Sequence, residues 1–154
     1  MRIPDVTDAQ LASRAAAGDG DAFGELIDRY APAARRVART VLLNPEDADD
    51  AVQDGCLSAW RAIDRYDARR PFGPWLMRIV LNAARDQRRR SRVRRTEPLP
   101  PDRAGTEATP DRATGRALFH AALAAALAEL PERQRVAVTL FDAEGYPHAE
   151  IAAL

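Results

Sequence analysis

Residues 72–95, FGPWLMRIVLNAARDQRRRSRVRR, decide the fold, because two different surfaces run along this one stretch. Its apolar residues recur at three- and four-residue spacing, which is the period of one face of an α-helix. The positions that we predict to face the core are Phe72, Leu76, Ile79 and Ala83, with Trp75 and Val80 flanking them. The pattern therefore predicts an amphipathic helix within an all-helical (all-α) protein.

A second stripe follows the same helix, well rotated from the apolar one. It consists of Arg78, Asn82, Arg85, Arg89 and Arg92, at successive offsets of four, three, four and three residues. Residues 78–95 hold eight arginines and one aspartate, a local charge of +7. Guanidinium groups bind phosphates, and an asparagine amide can pair with base edges. The stripe favours nucleic-acid binding; the alternative is a solvated, arginine-rich helix end.

The loop over residues 64–73 mixes aromatic rings with cations. Tyr66 and Phe72 flank Arg69 and Arg70, directly ahead of the basic helix. Aromatic rings can stack on unpaired bases while arginines hold the adjoining phosphates. The loop is thus a candidate site for a base turned out of the duplex. The alternative is that Phe72 packs into the core.

An acidic helix precedes this loop. Asn44-Pro45-Glu46-Asp47 combines a capping residue, a proline at the first helical position and acids in the first turn. Residues 44–54 hold five acids and no base. The positions predicted to be buried are Ala48, Val52, Cys56, Ala59, Trp60 and Ile63, and those on the acidic face are Asp47, Asp50 and Asp54. Such a face can dock on a basic partner, although a solvated face fits this helix equally well.

The remaining sequence predicts further helices in two domains, residues 1–96 and 116–154. An early helix begins at Asp19–Asp21, and Pro32 should kink or split it. Residues 97–115 contain four prolines and two glycines and are predicted to be a flexible linker. The second domain has an apolar stripe of Phe119, Leu123, Ala126, Leu127 and Leu130, and Val136 and Leu140 then face inward. Its last helix is expected to start near Pro147.

The composition excludes several classes of function. The chain is 46% hydrophobic and 30% charged with a net charge of zero, as in a globular protein. No run is apolar enough for membrane insertion or secretion, so a cytoplasmic location is expected. The single cysteine, Cys56, excludes an internal disulfide, and we find no metal-ligand spacing, cofactor motif, small-molecule site or catalytic constellation. An EF-hand is rejected for Asp47-Ala48-Asp49-Asp50, because the loop glycine and the closing glutamate are not at the positions that an EF-hand needs.

The ordered set of motifs resembles the extracytoplasmic-function (ECF) sigma factors of bacterial RNA polymerase. Three runs resemble their region two: residues 17–26, Glu46-Asp47-Ala48-Asp49-Asp50-Ala51-Val52-Gln53-Asp54 through Trp60-Arg61, and Phe72-Gly73-Pro74-Trp75-Leu76-Met77-Arg78-Ile79 with Asn82 and the arginine run. Two later runs, Leu130-Pro131-Glu132-Arg133-Gln134-Arg135 and Gly145-Tyr146-Pro147-His148-Ala149-Glu150-Ile151-Ala152, resemble their fourth domain. The likeness covers almost the whole chain, in the family's order.

The resemblance implies a role for each surface. Core polymerase would bind Asp47, Asp50, Gln53, Asp54 and Leu57. The minus-ten promoter DNA would bind Arg65, Tyr66, Arg69, Arg70, Phe72, Arg78, Asn82, Arg85, Arg88, Arg89 and Arg90, with the loop capturing a flipped base. Members often have an anti-sigma partner as well, although no residue here demonstrates one.

Two features depart from the family pattern. A helix-turn-helix needs a recognition helix, and this sequence stops within the first helix of the expected pair, as a fragment or a truncated member would. Gly55-Cys56 replaces a larger apolar pair, and an interior glycine costs about 1 kcal/mol of helix stability relative to alanine. We therefore expect a less tightly packed polymerase-binding helix.

Three alternatives stay open from the sequence. A sigma-like decoy would bind polymerase without supporting initiation, as the missing recognition helix suggests. A basic amphipathic protein would bind membranes or RNA. A small helical enzyme is the weakest reading, for want of acid–base or metal groups.

Overall fold

The computed structural model describes residues 6–96 and 115–154. All regular structure in these two ranges is helical, which confirms the predicted fold class. The helices are α1 (Asp8–Ala16), α2 (Gly20–Val41), α3 (Pro45–Ala62), α4 (Phe72–Thr96), α5 (Gly115–Glu129), α6 (Glu132–Val138) and α7 (His148–Ala152). A 3-10 turn spans Ile63–Arg65, and a π-helical turn spans Thr139–Ala143. No helix within the described ranges is long and apolar enough to cross a membrane.

Local signals fix the starts of the first three helices. Thr7 caps α1 through a capping box with Gln10. The Asp19 side chain accepts from the backbone N–H of Ala22 at 3.0 Å, and that of Asn44 accepts from Glu46 at 2.8 Å. Helices α2 and α3 therefore begin at their predicted starts. Helix α2 continues through Pro32, so of the two expected effects, a kink or a split, the split does not occur.

The main core lies where α2, α3 and α4 pack against one another, with α1 against α2. Leu26 and Val37 of α2 are fully buried, as are Leu76, Met77 and Leu81 of α4. Burial of each large apolar side chain contributes about 1.5–3 kcal/mol. This core holds α3 and α4 in a fixed relation, and those helices carry the predicted acidic and basic faces.

Gly55 lies at the packed interface between α3 and α4. A Cβ at this position would lie 3.0 Å from Val80 Cγ2 and 3.1 Å from Val80 Cα. Carbon atoms in contact normally stay about 3.5–4.0 Å apart. The glycine thus allows the two helices to approach closely, and the expectation of looser packing at Gly55 is wrong.

The buried face of α4 differs from the predicted one. Ile79 and Ala83, expected to face inward, are only partly buried. Because α4 packs against both α2 and α3, its buried sector is rotated from the predicted stripe. The buried residues of this sector are Phe72, Leu76, Met77, Val80, Leu81 and Ala84.

Trp60 and Cys56 are the corresponding corrections on α3. Trp60 is 37% exposed, and its ring packs on Phe23 with centroids 5.0 Å apart. Cys56 is half-buried, and this burial raises the pKa of its thiol. The small residues Ala51 and Gly55 fill the interface instead, because the close approach of α4 leaves no room there for an indole.

The C-terminal unit packs on the same core. Val136 and Leu140 are buried as predicted, and α6 contacts α2. The apolar stripe of α5 remains open instead, with Phe119 65% and Leu123 45% exposed. The two predicted units are therefore in contact. Residues 97–114 of the predicted linker lie outside the described residues, and Gly115 already belongs to α5.

Candidate nucleic-acid interface

One side of α4 presents the polar stripe. Arg78, Asn82 and Arg89 are exposed, whereas Val80 and Ala84 on the other side are buried. The apolar side chains of α4 thus pack against neighbouring helices, and its guanidinium and amide groups lie on the opposite side. Several guanidinium groups along one helical face can bind several phosphates of a nucleic-acid strand.

Two arginines of this side bind a carboxylate of the C-terminal unit. Arg85 Nε lies 2.9 Å from Oε1 of Glu132, and Arg88 pairs with the other oxygen. The Glu132 side chain is 19% exposed. Burial opposes its ionisation, but the hydrogen bonds from Arg85 and Arg88 prevail and lower the pKa of Glu132. Sequence reasoning missed Glu132, because its position against α4 depends on tertiary packing.

Three further arginines of α4, Arg78, Arg89 and Arg90, also have partners. Arg89 pairs with Asp86, and Arg90 lies 3.4 Å from Asp54. Arg78 donates to the backbone carbonyl of Ala153. The Asp86 and Asp54 pairs are largely solvated, and such pairs contribute only about 0–1 kcal/mol. They can exchange for phosphate at little cost.

The loop before α4 is built around an aromatic cluster. Tyr66 lies 5.5 Å from Phe72 and 5.0 Å from Trp75 between ring centroids. Phe72 is only 1% exposed, so in this conformation its ring packs in the core and does not face a base. Tyr66 and Trp75 are only half-buried. Of the predicted aromatic residues, Tyr66 is therefore the accessible one.

Charged groups of the loop are ordered by a local ion pair. Arg69 Nε donates to Asp67 at 2.9 Å, and the Arg69 backbone N–H donates to the same carboxylate at 3.0 Å. These hydrogen bonds lower the pKa of Asp67 to about 2. Arg65 and Arg70 are exposed beside this pair. The loop thus offers three cations at the surface next to Tyr66.

Helix α3 presents the predicted acidic face. Asp50, Gln53, Asp54 and Leu57 are exposed, and Asp47 is partly buried. A shallow apolar depression adjoins them, lined by Gly20, Phe23, Gln53, Cys56, Leu57 and Trp60. Sequence reasoning missed this patch, because the tryptophan at its edge was assigned to the core. An apolar centre with acidic neighbours is a typical protein-docking surface.

No group of His, Cys, Asp and Glu side chains in the described parts of the chain is arranged to hold a metal ion.

Burial raises the pKa of Tyr146 to about 12, and the pKa of Tyr30 is raised by burial and by its hydrogen bond to Asp8. These phenols therefore stay protonated; both pack against the core, and Tyr30 also donates a hydrogen bond to Asp8.

Together these features define an all-helical DNA-binding protein, with its basic and acidic surfaces on neighbouring helices. Comparison with known families assigns residues 26–94 to Sigma-70 region 2 and residues 120–154 to Sigma-70 region 4. The chain belongs to the ECF sigma factors, non-enzymatic proteins that direct RNA polymerase to promoters.

Individual relatives agree with this assignment. CnrH of Cupriavidus metallidurans is 35% identical over 160 residues, covering 98% of this chain and 84% of CnrH. SigM of Mycobacterium tuberculosis is 39% identical over 150 residues, covering 96% of this chain and 73% of SigM. NccH of Alcaligenes xylosoxydans xylosoxydans is 47% identical over 94 residues, which are 61% of this chain and half of NccH.

Two solved structures share the fold. CnrH in complex with the cytosolic domain of CnrY superposes with a TM-score of 0.68 at 34% identity, covering 95% of this chain and 80% of CnrH. An engineered region 2 of sigmaE, in complex with GTAAAA, has a TM-score of 0.56 at 32% identity and covers 62% of this chain and 99% of its own.

Proposed function

We propose that the exposed side of α4 and the loop before it hold the minus-ten promoter DNA. The observation that best supports this proposal is that Asn82 and Arg89 are exposed on the side of α4 opposite the buried Val80 and Ala84. The engineered region 2 of sigmaE, to which part of this chain is similar, was solved in complex with GTAAAA. The proposed contacts are Arg65, Tyr66, Arg69, Arg70, Arg78, Asn82, Arg85, Arg88, Arg89 and Arg90, with Phe72 supporting the loop from within.

Each group has a chemical role in this proposal. Asn82 reads a base edge, because its amide supplies a donor and an acceptor. The arginines bind phosphates and release counterions, so affinity falls steeply with salt. Tyr66 stacks on a base that has left the duplex. Since these contacts favour separated strands over duplex, binding shifts the equilibrium towards the open promoter without covalent chemistry.

We propose that α3 docks on core polymerase through Asp47, Asp50, Gln53, Asp54 and Leu57. The exposed carboxylates would set the register on a basic surface, and the apolar depression beside Leu57 would supply the buried centre. This assignment keeps the polymerase contact and the DNA contact on separate helices. The two surfaces adjoin, since Arg90 of the proposed DNA contact lies 3.4 Å from Asp54 of the proposed polymerase contact.

Two substitutions on α4 test the DNA assignment. Asn82→Ala should change the preference for minus-ten sequences by about 1–3 kcal/mol per lost base contact. Arg89→Ala should weaken all promoter sequences alike and reduce the slope of log affinity against log salt by about one unit. Binding of purified holoenzyme to promoter variants measures both. Identical behaviour of the two variants would contradict the assignment.

Charge reversal on α3 tests the polymerase contact. Asp50→Arg with Asp54→Arg should abolish co-purification with core polymerase, because like charges then face the basic partner. Asp28→Arg, an exposed acid on α2, is the matched control and should co-purify normally. Undiminished co-purification of the double variant would remove the docking role from this face.

We also propose that the protein acts in the cytoplasm, where its polymerase is. The relative CnrH was solved with the cytosolic domain of CnrY, and this supports an analogous protein partner here. Fractionation of cells that express the tagged chain tests the location.

A further inference from the structure

Residues 132–154, here called the C-terminal segment, lie across the arginine side of α4. Glu132 pairs with both Arg85 and Arg88, with Nε of Arg85 2.9 Å from its carboxylate. At the far end of the segment, Arg78 donates to the carbonyl of Ala153. Three of the arginines assigned to minus-ten DNA are thus engaged by acceptors from one other part of the chain.

A second ion pair fastens the segment to α2. Arg36 Nη2 lies 3.0 Å from Oε2 of Glu144, and its Nε binds the other oxygen. The Glu144 side chain is only 9% exposed. In addition, Arg135 of α6 donates to the backbone carbonyl of Thr40. Arg36 is not among the residues assigned to DNA, so this anchor lies outside the proposed DNA site.

A third anchor involves the start of α4. Tyr146 packs against Gly73, where a Cβ would collide with the Tyr146 hydroxyl and would lie 2.7 Å from Tyr30 Cε1. A side chain at residue 73 would therefore exclude Tyr146 from its present position. Next to this contact, Arg70, Trp75 and Arg78 line a cleft that Glu150 and Ala153 close from the other side. The C-terminal segment thus covers both the arginine side of α4 and the edge of the loop before α4.

We infer that the C-terminal segment is an internal latch that competes with promoter DNA for Arg78, Arg85 and Arg88. The inference rests on the proposed minus-ten site. Carboxylate and phosphate each present oxygens that the planar fork of a guanidinium can bind, so Glu132 occupies donors that a phosphate needs. DNA binds only molecules in which the segment has moved away, and its apparent affinity is reduced by the fraction of such molecules.

Several of the contacts that hold the C-terminal segment on α2 and α4 are ion pairs, which other charged groups can replace. Its contacts are ion pairs at a partly solvated surface and one tyrosine, together with the buried Val136 and Leu140. The arginines of these pairs are 34–51% exposed although their carboxylates are nearly buried, so salt and competing anions reach the pairs from the arginine side. A partner that holds region 4 elsewhere would therefore release the arginines for DNA.

The test is DNA binding by the full chain without polymerase. The probe is a fluorescein-labelled 12-nucleotide single strand that contains GTAAAA, titrated with protein at fixed salt and followed by anisotropy. Glu132→Ala and Tyr146→Ala should each tighten binding by about threefold to tenfold, since each loosens one anchor. Glu129→Ala makes the same charge change as Glu132→Ala at an exposed site on α5, and should leave affinity at the wild-type value.

The variant Arg36→Ala distinguishes the latch from a general electrostatic effect, because the two predict opposite changes in DNA affinity. It removes a positive charge, so general attraction predicts weaker DNA binding. The latch predicts tighter binding, because Glu144 is left buried without its partner and the segment is released. Tighter binding by all three latch variants, with Glu129→Ala unchanged, supports the inference. Circular dichroism of each variant is the control for folding.

Two other outcomes overturn it in distinguishable ways. In the first, the wild type and the three latch variants bind the strand with the same affinity, and Arg89→Ala binds it more weakly. The minus-ten site then stands and the latch is wrong. If no variant binds the strand, the proposed minus-ten site fails, and the latch fails with it.

Discussion

Gly55→Ala tests the claim that close packing of α3 on α4 fixes the two functional faces. The substitution adds one methyl group, whose carbon would lie 3.0 Å from Val80 Cγ2 and 3.1 Å from Val80 Cα. A rotamer change of Val80 can move Cγ2, but it cannot move Cα. The helices must therefore separate by several tenths of an ångström to restore carbon contacts of about 3.5 Å.

Two opposing terms set the magnitude. Alanine gains about 1 kcal/mol over glycine in a helix interior. Overpacking a close-packed core costs about 1–3 kcal/mol. Because the contact with Val80 Cα is with backbone, we expect the upper part of that range and a net loss of about 1–2 kcal/mol in the free energy of unfolding.

Urea denaturation followed by circular dichroism measures the change, and Gly24→Ala supplies the control. Gly24 is also inside a helix, but it is exposed and a Cβ there would meet nothing within 4 Å. It should gain about 1 kcal/mol from helix propensity alone. If Gly55→Ala is stabilised as much as Gly24→Ala, the packing argument is refuted.

Two further predictions concern the loop before α4. Phe72→Ala should lower the free energy of unfolding by about 3–5 kcal/mol in urea denaturation, since the ring is buried against Tyr30, Tyr66 and Trp75; Phe72→Leu should keep most of that stability. The Asp67 carboxyl should titrate near pH 2 by NMR, with its ion pair intact above its ordinary pKa of 3.8 and lost as the pH falls through about 2. Arg69→Ala should return the midpoint towards 3.8, and an unchanged midpoint would contradict the assigned ion pair.

The elements that sequence could predict are those set by local chemistry. The caps at Asp19 and Asn44 depend on residues two or three positions away, so the sequence contains the whole interaction. The exposed polar side of α4 follows from helical spacing alone. These features need no knowledge of which helices are neighbours.

The features that sequence could not predict depend on that neighbourhood. Gly55 looks like a defect when α3 is considered alone, and only the position of Val80 makes it a packing residue. Trp60 has the spacing of a core residue, but its partner is Phe23 of α2 at the surface. Similarly, nothing near Arg85 in sequence indicates Glu132, which is 47 residues away.

The charge distribution along the chain explains why the C-terminal segment can compete with DNA for the arginines of α4. Residues 97–154 carry nine acids and five arginines, whereas residues 78–95 carry a net charge of +7. An arginine surface cannot distinguish a phosphate from a carboxylate by charge, so acids tethered to the same chain compete at an effective concentration of about millimolar. A DNA strand prevails only by engaging many of the arginines at once, whereas Glu132 engages two. The same guanidinium chemistry that binds promoter DNA therefore makes its binding depend on where region 4 is held.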